Sequence, residues 1–517
     1  MKSNSGPFTI AYLGVLAGLQ VIDPTVANVA LVEAGRALRM EGSTLALAAS
    51  ISTLAQAATV LMLGFLGDRL GRRNVLAGAL LLAIAGNLIA LAAPRAEVFL
   101  LGRALTGVAL GRVLAASFAA VRDCCRPGQV ARALGQWNLL IVVAFVLGSL
   151  LGGWLADSDW RLAMGLVPLL CLLALPLLPA LVPPMAAQPD LRADGPGLLS
   201  IAAAMVLTLV GMSHAVEGLH VRAFWQPTLA GLLLFAIHGA IESRQKHPIF
   251  PVALYRRGPF LAAIMSGMAW NFAQSVVQLQ TSNFWQVVQH FRTSQVALGQ
   301  MPLLLCFGVV AGRLMAPGRR TRQLILVGSA LLVLGLLLLT PIQATSSYAS
   351  LLPGLVLVGL GLAFVAVPQS ALFVQEATAR CFGAVTAFRT TCGQLGFAMG
   401  FAASGALVHG FGVASLRHRL LDLGVSASAI PALLCESRVF LSHGIPPGGS
   451  QPTQALVLAI QQAYATGLGG TMLVTALGVA LLLVISLLLL ASGSPQHPVS
   501  QSVQTGATRT LAGPGSG

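Results

Sequence analysis

The segment Gly64-Phe65-Leu66-Gly67-Asp68-Arg69-Leu70-Gly71-Arg72-Arg73 separates two long apolar runs near the start of the chain. Upstream, residues 44–66 carry no charged side chain, and downstream, residues 75–94 carry none. Each run is close to the roughly 20 residues that a helix needs to cross a bilayer. The segment is therefore predicted to be a tight turn at the membrane surface, where glycines permit the turn and arginines stay in the aqueous layer.

The composition of the whole chain indicates a polytopic membrane protein. Of 517 residues, 56% are hydrophobic and 9% are charged, whereas about a quarter of the residues in a soluble domain are charged. The formal net charge of +15 does not indicate a nucleic-acid partner, because the basic residues are scattered between apolar runs. The seven cysteines show no CxxC and no His/Cys spacing, so we predict no metal, no cofactor and no disulfide framework.

Apolar runs of about 20 residues, separated by Gly, Pro and charge, predict fourteen membrane helices. An even number places both termini on one side of the membrane. With the N-terminus inside, 18 of the 30 Lys and Arg residues fall in cytoplasmic segments. The positive-inside rule therefore predicts that both termini are cytoplasmic.

The charge pattern also predicts two related halves, because Gly318-Arg319-Arg320 repeats Gly71-Arg72-Arg73 in a degenerate form. We predict an N-terminal six-helix bundle over 1–183, a linker with two inserted helices over 184–258, a C-terminal six-helix bundle over 259–492 with an outer loop over 410–466, and a disordered cytoplasmic tail over 493–517. Repeats of this kind place a substrate near the bilayer midplane, between the halves.

The charged segment resembles the signature loop between helices 2 and 3 of the major facilitator superfamily of transporters. The matching residues are Gly64, Asp68, Arg69, Gly71, Arg72 and Arg73. The resemblance implies the major facilitator fold, which is all-α and polytopic with two six-helix bundles, here joined by two inserted helices. It also implies that these six residues form a conformational gate on the inner face of the first bundle.

Asp23 is the one carboxylate predicted deep inside a helix, where an ionised acid costs roughly 2.5–3.5 kcal/mol on insertion scales. Arg103 lies at a similar depth in helix 4, at about 9 Å from the outer end against about 12 Å for Asp23. The two side chains are therefore expected to pair. The surroundings of Asp23 resemble the helix-1 motif of the fourteen-helix drug:proton antiporter branch, and Arg103 matches the arginine of the superfamily's helix-4 motif. These resemblances imply a proton-coupling role; a permanent structural ion pair is the alternative.

Helix 5 carries Gly148, Gly152 and Gly153, which resemble the antiporter motif of exporters in this superfamily and imply a further part of the conformational gate. Ser149 stands where that motif has proline, and Ala144 replaces its first glycine. Both departures weaken the inference that the protein is an exporter.

Polar side chains on helix 9 are candidate substrate-binding residues. Asn271, Gln274 and Gln278 recur at i, i+3 and i+7 beside aromatic residues, a pattern that suits a cavity for a partly apolar solute. The alternative is interhelical hydrogen bonding, worth about 0.6 kcal/mol each in membranes. Arg112 is a candidate for binding an anionic substrate; the alternative is that it pairs with a helix-end carbonyl or snorkels inward. Gln136 and Asn138 in helix 5 are further cavity candidates.

The sequence therefore predicts a proton-coupled secondary active transporter that exports small amphipathic organic molecules by alternating access. The alternatives are a carrier for uptake or uniport of a metabolite or organic anion, and a non-transporting membrane sensor. We predict that the protein is not an enzyme, because no catalytic constellation and no phosphate loop occur at recognisable spacing. Its expected partners are membrane lipid, protons and a small-molecule substrate. The resemblance further implies an inner-membrane location and, in double-membraned bacteria, a periplasmic adaptor and an outer-membrane channel.

Overall fold

The computed structural model describes residues 7–125, 130–184, 195–217, 221–244, 252–314, 321–376, 382–434 and 454–492. These ranges contain fourteen long helices and almost no other regular structure. The helices are α1 (Pro7–Ala37), α2 (Gly42–Leu70), α3 (Arg72–Leu91), α4 (Ala96–Cys124), α5 (Val130–Ala156), α6 (Trp160–Ala174), α7 (Gly195–Ser213), α8 (Arg222–Arg244), α9 (Gly258–Asn283), α10 (Thr293–Arg313), α11 (Thr321–Leu338), α12 (Tyr348–Glu376), α13 (Phe382–Asp422) and α14 (Gln454–Ser492). The predicted tail over 493–517 lies outside the described residues.

Within the described ranges, thirteen helices are long and apolar enough to cross a membrane. The remaining helix, α7, contributes a shorter apolar stretch, Leu199–Ser213. The protein is thus an all-α polytopic membrane protein, and its helices are compatible with the fourteen predicted spans. Successive helices alternate in direction. We call the face where α1 begins and α14 ends the terminal face, and the other face the opposite face.

The two largest hydrophobic cores lie almost entirely in different halves of the chain. One is built from α1 to α6 and includes Leu76 and Val113. The other is built mainly from α9 to α14 and includes Leu332 and Val358. Because lipid tails are as apolar as these side chains, close packing rather than the hydrophobic effect holds such bundles together.

Helices α1 and α5 pack closely because each contact between them places a glycine of one helix against a side chain of the other. The facing pairs are Gly14–Leu140, Gly18–Ala144, Ile22–Gly148 and Val26–Gly152. A methyl group added at Gly148 would lie 2.6 Å from Cγ1 of Ile22, so the helices have no room for it. Ala144 replaces the first glycine of the helix 5 motif. It fits there because it faces Gly18, which has no side chain.

The inserted helix α7 covers the seam between α2 and α13, and the inserted helix α8 packs on α7. Ala57 of α2, Met205 of α7 and Phe388 of α13 belong to one buried apolar cluster. Beyond α7, a hydrogen bond from Ser43 at the start of α2 lowers the pKa of Glu217, and contact with His214 lowers it further. The inserted pair is therefore attached to α2 at the opposite face as well as along the seam.

The predicted outer loop over 410–466 is shorter than expected, because α13 continues to Asp422 and α14 begins at Gln454. At 1.5 Å per residue, α13 is about 60 Å long, roughly twice the hydrocarbon thickness. The extensions are helical because they bury a small apolar cluster of their own. Its members are Leu416, Leu420, Ile430, Ala459, Ile460 and Ala463.

Candidate functional site

Asp23 and Arg103 form a buried ion pair between α1 and α4. Arg103 Nη1 donates to Asp23 Oδ1 at 2.6 Å, and both side chains are 1% exposed. Ser52 of α2 donates its hydroxyl proton to the other carboxylate oxygen at 2.9 Å. The predicted pairing of these two side chains is thus confirmed. The site joins three helices of one bundle around a single carboxylate.

The pair carries one unsatisfied donor. Arg103 Nε is buried and has no hydrogen-bond partner. Because an unpaired charge in a dry interior is costly, the guanidinium depends on Asp23 for its stability. Any change in the protonation of Asp23 therefore acts directly on Arg103.

The predicted gate around the α2–α3 turn is only partly described. Gly64, Asp68 and Arg69 lie in the last turns of α2, where the structure describes the backbone but not the side chains. Gly71 joins the two helices with φ of 86°, a conformation that favours glycine. Arg72 Nη1 donates to the carbonyl oxygen of Ala119 in α4 at 2.6 Å.

Arg73 follows at the start of α3 and is half-buried. The described part of the turn thus attaches α3 to the terminal end of α4 through Arg72. Both arginines remain beside the terminal face, as expected of residues that mark the end of a span.

The glycines of helix 5 divide between two partners. Gly148 and Gly152 face α1 inside the same bundle, whereas Gly153 faces Ala297 of α10 in the other bundle. A methyl group at Gly153 would lie 2.6 Å from the Ala297 Cβ and 3.1 Å from the Thr293 carbonyl oxygen. Gly153 therefore allows the bundles to meet at the opposite face.

Asp157 makes a second contact between the bundles at the same face, and the sequence did not single it out. It lies just beyond α5 and accepts a hydrogen bond from the backbone N–H of Ser294 at 3.0 Å. The Ser294 hydroxyl donates to its other oxygen. Ser294 is in the first turn of α10, where the helix dipole favours a carboxylate. A third contact is made by Gln286, which donates to the carbonyl oxygen of Val29 at 3.1 Å.

A central cavity of about 290 Å³ lies between the two bundles. Its walls come from α1, α2, α4 and α5 on one side and from α9, α10, α12 and α13 on the other. On α10 and α13 the lining residues belong to the half of each helix nearer the terminal face, and on α5 all but Phe145 do. The cavity therefore extends from the middle of the molecule towards the terminal face, while Asp157 and Gly153 hold the bundles together at the opposite face.

The three polar residues predicted on helix 9 all line this cavity. They are Asn271, Gln274 and Gln278. Asn271 donates to the carbonyl oxygen of Gly267 at 2.8 Å, which leaves its oxygen as an acceptor. Gln278 Nε2 is buried without a partner. The stripe thus presents both acceptors and donors that the protein does not use.

Aromatic side chains form part of the apolar wall of the cavity. Trp137, Phe145, Trp270 and Phe307 line the cavity, and Trp270 stacks on Phe307 with ring centroids 6.1 Å apart. A cavity with apolar aromatic walls and a few amides is typical of sites for small organic ligands.

Other predicted binding residues lie elsewhere. Arg112 packs towards α3, with Nη1 4.0 Å from where a Gly78 side chain would start, and it is absent from the cavity lining. Gln136 is exposed and also absent from the lining, because its neighbour Trp137 faces inward instead. The Asn138 side chain is not among those that the structure describes. Arg389 of α13, by contrast, does line the cavity.

A second cavity of about 280 Å³ lies between the same bundles on the opposite side of the middle. Phe397 lines the central cavity and Phe401 the second one. Their rings meet edge to face with centroids 4.8 Å apart. This aromatic pair on α13 therefore stands between the two cavities.

Comparison with known proteins assigns the family. The sequence model of the Major Facilitator Superfamily matches residues 10–401. The puromycin resistance protein pur8 of Streptomyces alboniger is 28% identical over 434 residues, which are 80% of this chain and 82% of that protein. The multidrug efflux pump LfrA of Mycolicibacterium smegmatis is 26% identical over 423 residues, which are 78% of this chain and 81% of that protein.

A solved structure agrees on the fold. The inward-facing, unoccupied bacterial homologue of the human lysosomal transporter Spinster has a TM-score of 0.62 at 14% identity and covers 96% of this chain and 100% of its own. The family match extends over both bundles and includes the buried ion pair and the central cavity. This chain belongs to the Major Facilitator Superfamily, and it is a membrane transporter rather than an enzyme.

Proposed function

We propose that the protein is a proton-coupled exporter of small amphipathic organic molecules that works by alternating access of its two bundles. The observation that carries this proposal is the fully buried Asp23–Arg103 pair, which adjoins a cavity lined by both bundles. Pro24 and Thr25, the next residues along α1, belong to that lining. A change at Asp23 is therefore transmitted to the cavity within one turn of helix.

Proton coupling is supported by the geometry of the pair, because Arg103 is neutralised by the Asp23 carboxylate inside the protein. Protonation removes the ion pair and leaves Arg103 charged without a counterion, which destabilises the arrangement of α1, α2 and α4 around it. Proton binding thus supplies a driving force for α1, α2 and α4 to change from this packing arrangement to another.

Alternating access is supported by the pair of cavities along the seam between the bundles. Each lies on one side of the Phe397–Phe401 contact, so a rotation of the bundles that closes one cavity opens the other. The Asp157–Ser294 contact is the part of the arrangement that has to break when the opposite face opens. The gate residues of the α2–α3 turn are expected to form the corresponding contact at the terminal face.

Export rather than uptake is supported by the relatives, whose names describe puromycin resistance and multidrug efflux. In this proposal the terminal face is cytoplasmic, and the central cavity loads from the cytoplasm or the inner leaflet. A periplasmic adaptor and an outer-membrane channel remain expected partners if the cell has two membranes.

The test is proton movement in proteoliposomes that hold the purified protein and a pH-sensitive dye. Cationic, neutral and anionic amphiphiles are added to wild type, to Asp23→Asn and to Glu97→Gln, in which an exposed carboxylate of α4 undergoes the same change. We expect substrate-induced proton flux in wild type and Glu97→Gln, and none in Asp23→Asn. Ligand binding by Asp23→Asn is measured in parallel to show that the variant is folded.

Two results would contradict the proposal. Unchanged flux in Asp23→Asn would remove this residue from proton coupling. Ligand binding by wild type without any proton flux would instead favour a uniporter or a membrane sensor.

A further inference from the structure

The charge of the central cavity indicates which substrates it accepts. Among the described residues that line it, Arg389 of α13 is the one charged side chain, and no carboxylate accompanies it. Arg389 forms no ion pair with any residue that the structure describes. The cavity therefore carries an uncompensated positive charge.

Arg389 is positioned by a neutral partner. Its Nη1 donates to the Ser370 hydroxyl of α12 at 2.9 Å, and that hydroxyl donates in turn to the Ala366 carbonyl oxygen at 2.8 Å. Among the residues that the structure describes, no other hydrogen bond occupies the guanidinium, yet none of its nitrogens is among the buried atoms that lack a partner. Its remaining N–H groups are therefore open to the cavity.

The two arginines in the middle of the protein differ in this respect. Arg103 is sealed and neutralised by Asp23, whereas Arg389 is held by a hydroxyl and faces the space between the bundles. A guanidinium in a site of low polarity has most to gain from a ligand that brings an anionic oxygen, because it binds carboxylates through two parallel hydrogen bonds.

We propose that Arg389 selects anionic substrates and binds their acidic group. The inference rests on the proposed function, since it names the charge class of the molecule that is exported. The substrate is a small aromatic amphiphile with one carboxylate or similar oxyanion. Its acidic group lies against Arg389 and Ser370, and its apolar body lies between Trp137, Phe145 and the stacked Trp270 and Phe307.

In this proposal Arg389 binds the anionic substrate, a role that the sequence suggested for Arg112. Both are arginines within membrane-spanning helices, but Arg112 packs against α3 outside the cavity. Arg112 is therefore the matched control, because the same substitution there removes one charge without touching the cavity wall.

The experiment compares three probes that share one ring system: naphthylacetate, its methyl ester and naphthylethylammonium. Their affinities for purified wild type, Arg389→Gln, Arg389→Lys and Arg112→Gln are measured by titration calorimetry. We expect wild type to bind the acid about 10-fold or more tighter than the ester, which matches the usual strength of one hydrogen bond to a charged group. Arg389→Gln should lose this preference while its affinity for the ester changes less than about twofold, a change too small for a lost hydrogen bond.

Arg389→Lys should keep part of the preference, because it retains the charge but not the planar pair of donors. Arg112→Gln should behave as wild type. A wild type that does not prefer the acid would overturn the inference, as would an equal loss of acid and ester binding in Arg389→Gln. If acid binding depends on Arg389 but moves no protons in the liposome assay, the exporter proposal fails and the assignment of Arg389 stands.

Discussion

At the scale of single residues, the Asp23–Arg103 pair predicts a non-additive effect on stability. Removing the carboxylate leaves Arg103 buried and charged, so we expect Asp23→Ala to lower the free energy of unfolding by about 3–5 kcal/mol. The double variant Asp23→Ala, Arg103→Met should lose less stability, because it leaves no unpaired charge buried. Thermal unfolding of the detergent-purified proteins measures the difference. A double variant less stable than the single one would show that the pair stabilises the fold by itself.

Sequence alone could place this pair because the depth of a residue in a membrane helix can be counted from the helix end. A charged residue at such a depth also has few tolerable surroundings, so its partner is easily found. The sequence could not identify Ser370 as the hydrogen-bond partner of Arg389. Helical periodicity gives the direction of a side chain within its own helix, but it does not say whether that direction faces lipid, a neighbouring helix or a cavity.

Asp157 was missed for a different reason. Acidic residues are common at helix ends, and its partner is mainly a backbone N–H group, which every residue except proline possesses. Nothing in the sequence distinguishes such a contact from ordinary solvation. Only the packing of the two bundles shows that the carboxylate reaches α10.

At the scale of elements, the α1–α5 interface predicts a rescue experiment. We expect Gly148→Ala to destabilise the protein, because the new methyl group would clash with Ile22, and overpacking typically costs about 1–3 kcal/mol. Adding Ile22→Ala should recover part of the loss by removing the atoms that clash. The fraction of folded protein after heating measures both effects.

The control for this interface is Gly239→Ala in α8, where an added methyl group meets nothing within 4 Å. It should be neutral or should stabilise the helix by about 0.5–1 kcal/mol. If Ile22→Ala brings no recovery to Gly148→Ala, the loss has another cause than the contact between α1 and α5.

The lengths of α13 and α14 show that hydropathy does not predict how far a helix continues beyond its membrane-spanning portion. The membrane-spanning portions are predominantly apolar, and hydropathy predicts them. The extensions beyond them are amphipathic, with Arg417, His418 and Arg419 on α13, and they resemble a polar loop by composition. They are helical because they pack on each other, which is a tertiary effect that composition does not record.

At the scale of the whole molecule, the Asp157–Ser294 contact predicts a shift between conformations. The contact joins the two bundles at the opposite face, and a carboxylate at a helix N-terminus contributes about 0.3–1 kcal/mol when exposed. We therefore expect Asp157→Ala to favour opening of this face by roughly twofold to fivefold in population. Spin labels at Arg95 and Gln343, both exposed at this face and in different bundles, report the change as a longer distance.

Asp159→Ala is the matched control for this shift. Asp159 accepts a hydrogen bond from the Arg161 N–H at 2.8 Å and caps α6 within its own bundle. Its loss removes a capping carboxylate without breaking a contact between bundles, so the distance distribution should stay as in wild type. The same shift in both variants would mean that Asp157 acts through helix stability rather than as a latch.

The division into two bundles followed from the sequence because the repeated Gly-Arg-Arg turns mark equivalent positions in the two halves. The sequence also placed a cavity between the halves, beside the polar stripe of helix 9, but the extent of that cavity and the presence of a second one did not follow. Both depend on which face of each bundle meets the other, and the residues that decide this, such as Gly153 and Ala297, are small apolar residues of a kind found on every helix.

The burial of Asp23 against Arg103 has an electrical consequence. While Asp23 is ionised the pair has no net charge, so the substrate-loaded step of export moves no charge through this site. A proton on Asp23 changes the pair to a net charge of one, and each charge that crosses 100 mV changes the free energy by about 2.3 kcal/mol. In the proposed cycle the membrane voltage therefore acts on the proton-loaded return step and leaves the contribution of this pair to the substrate-loaded step unaffected.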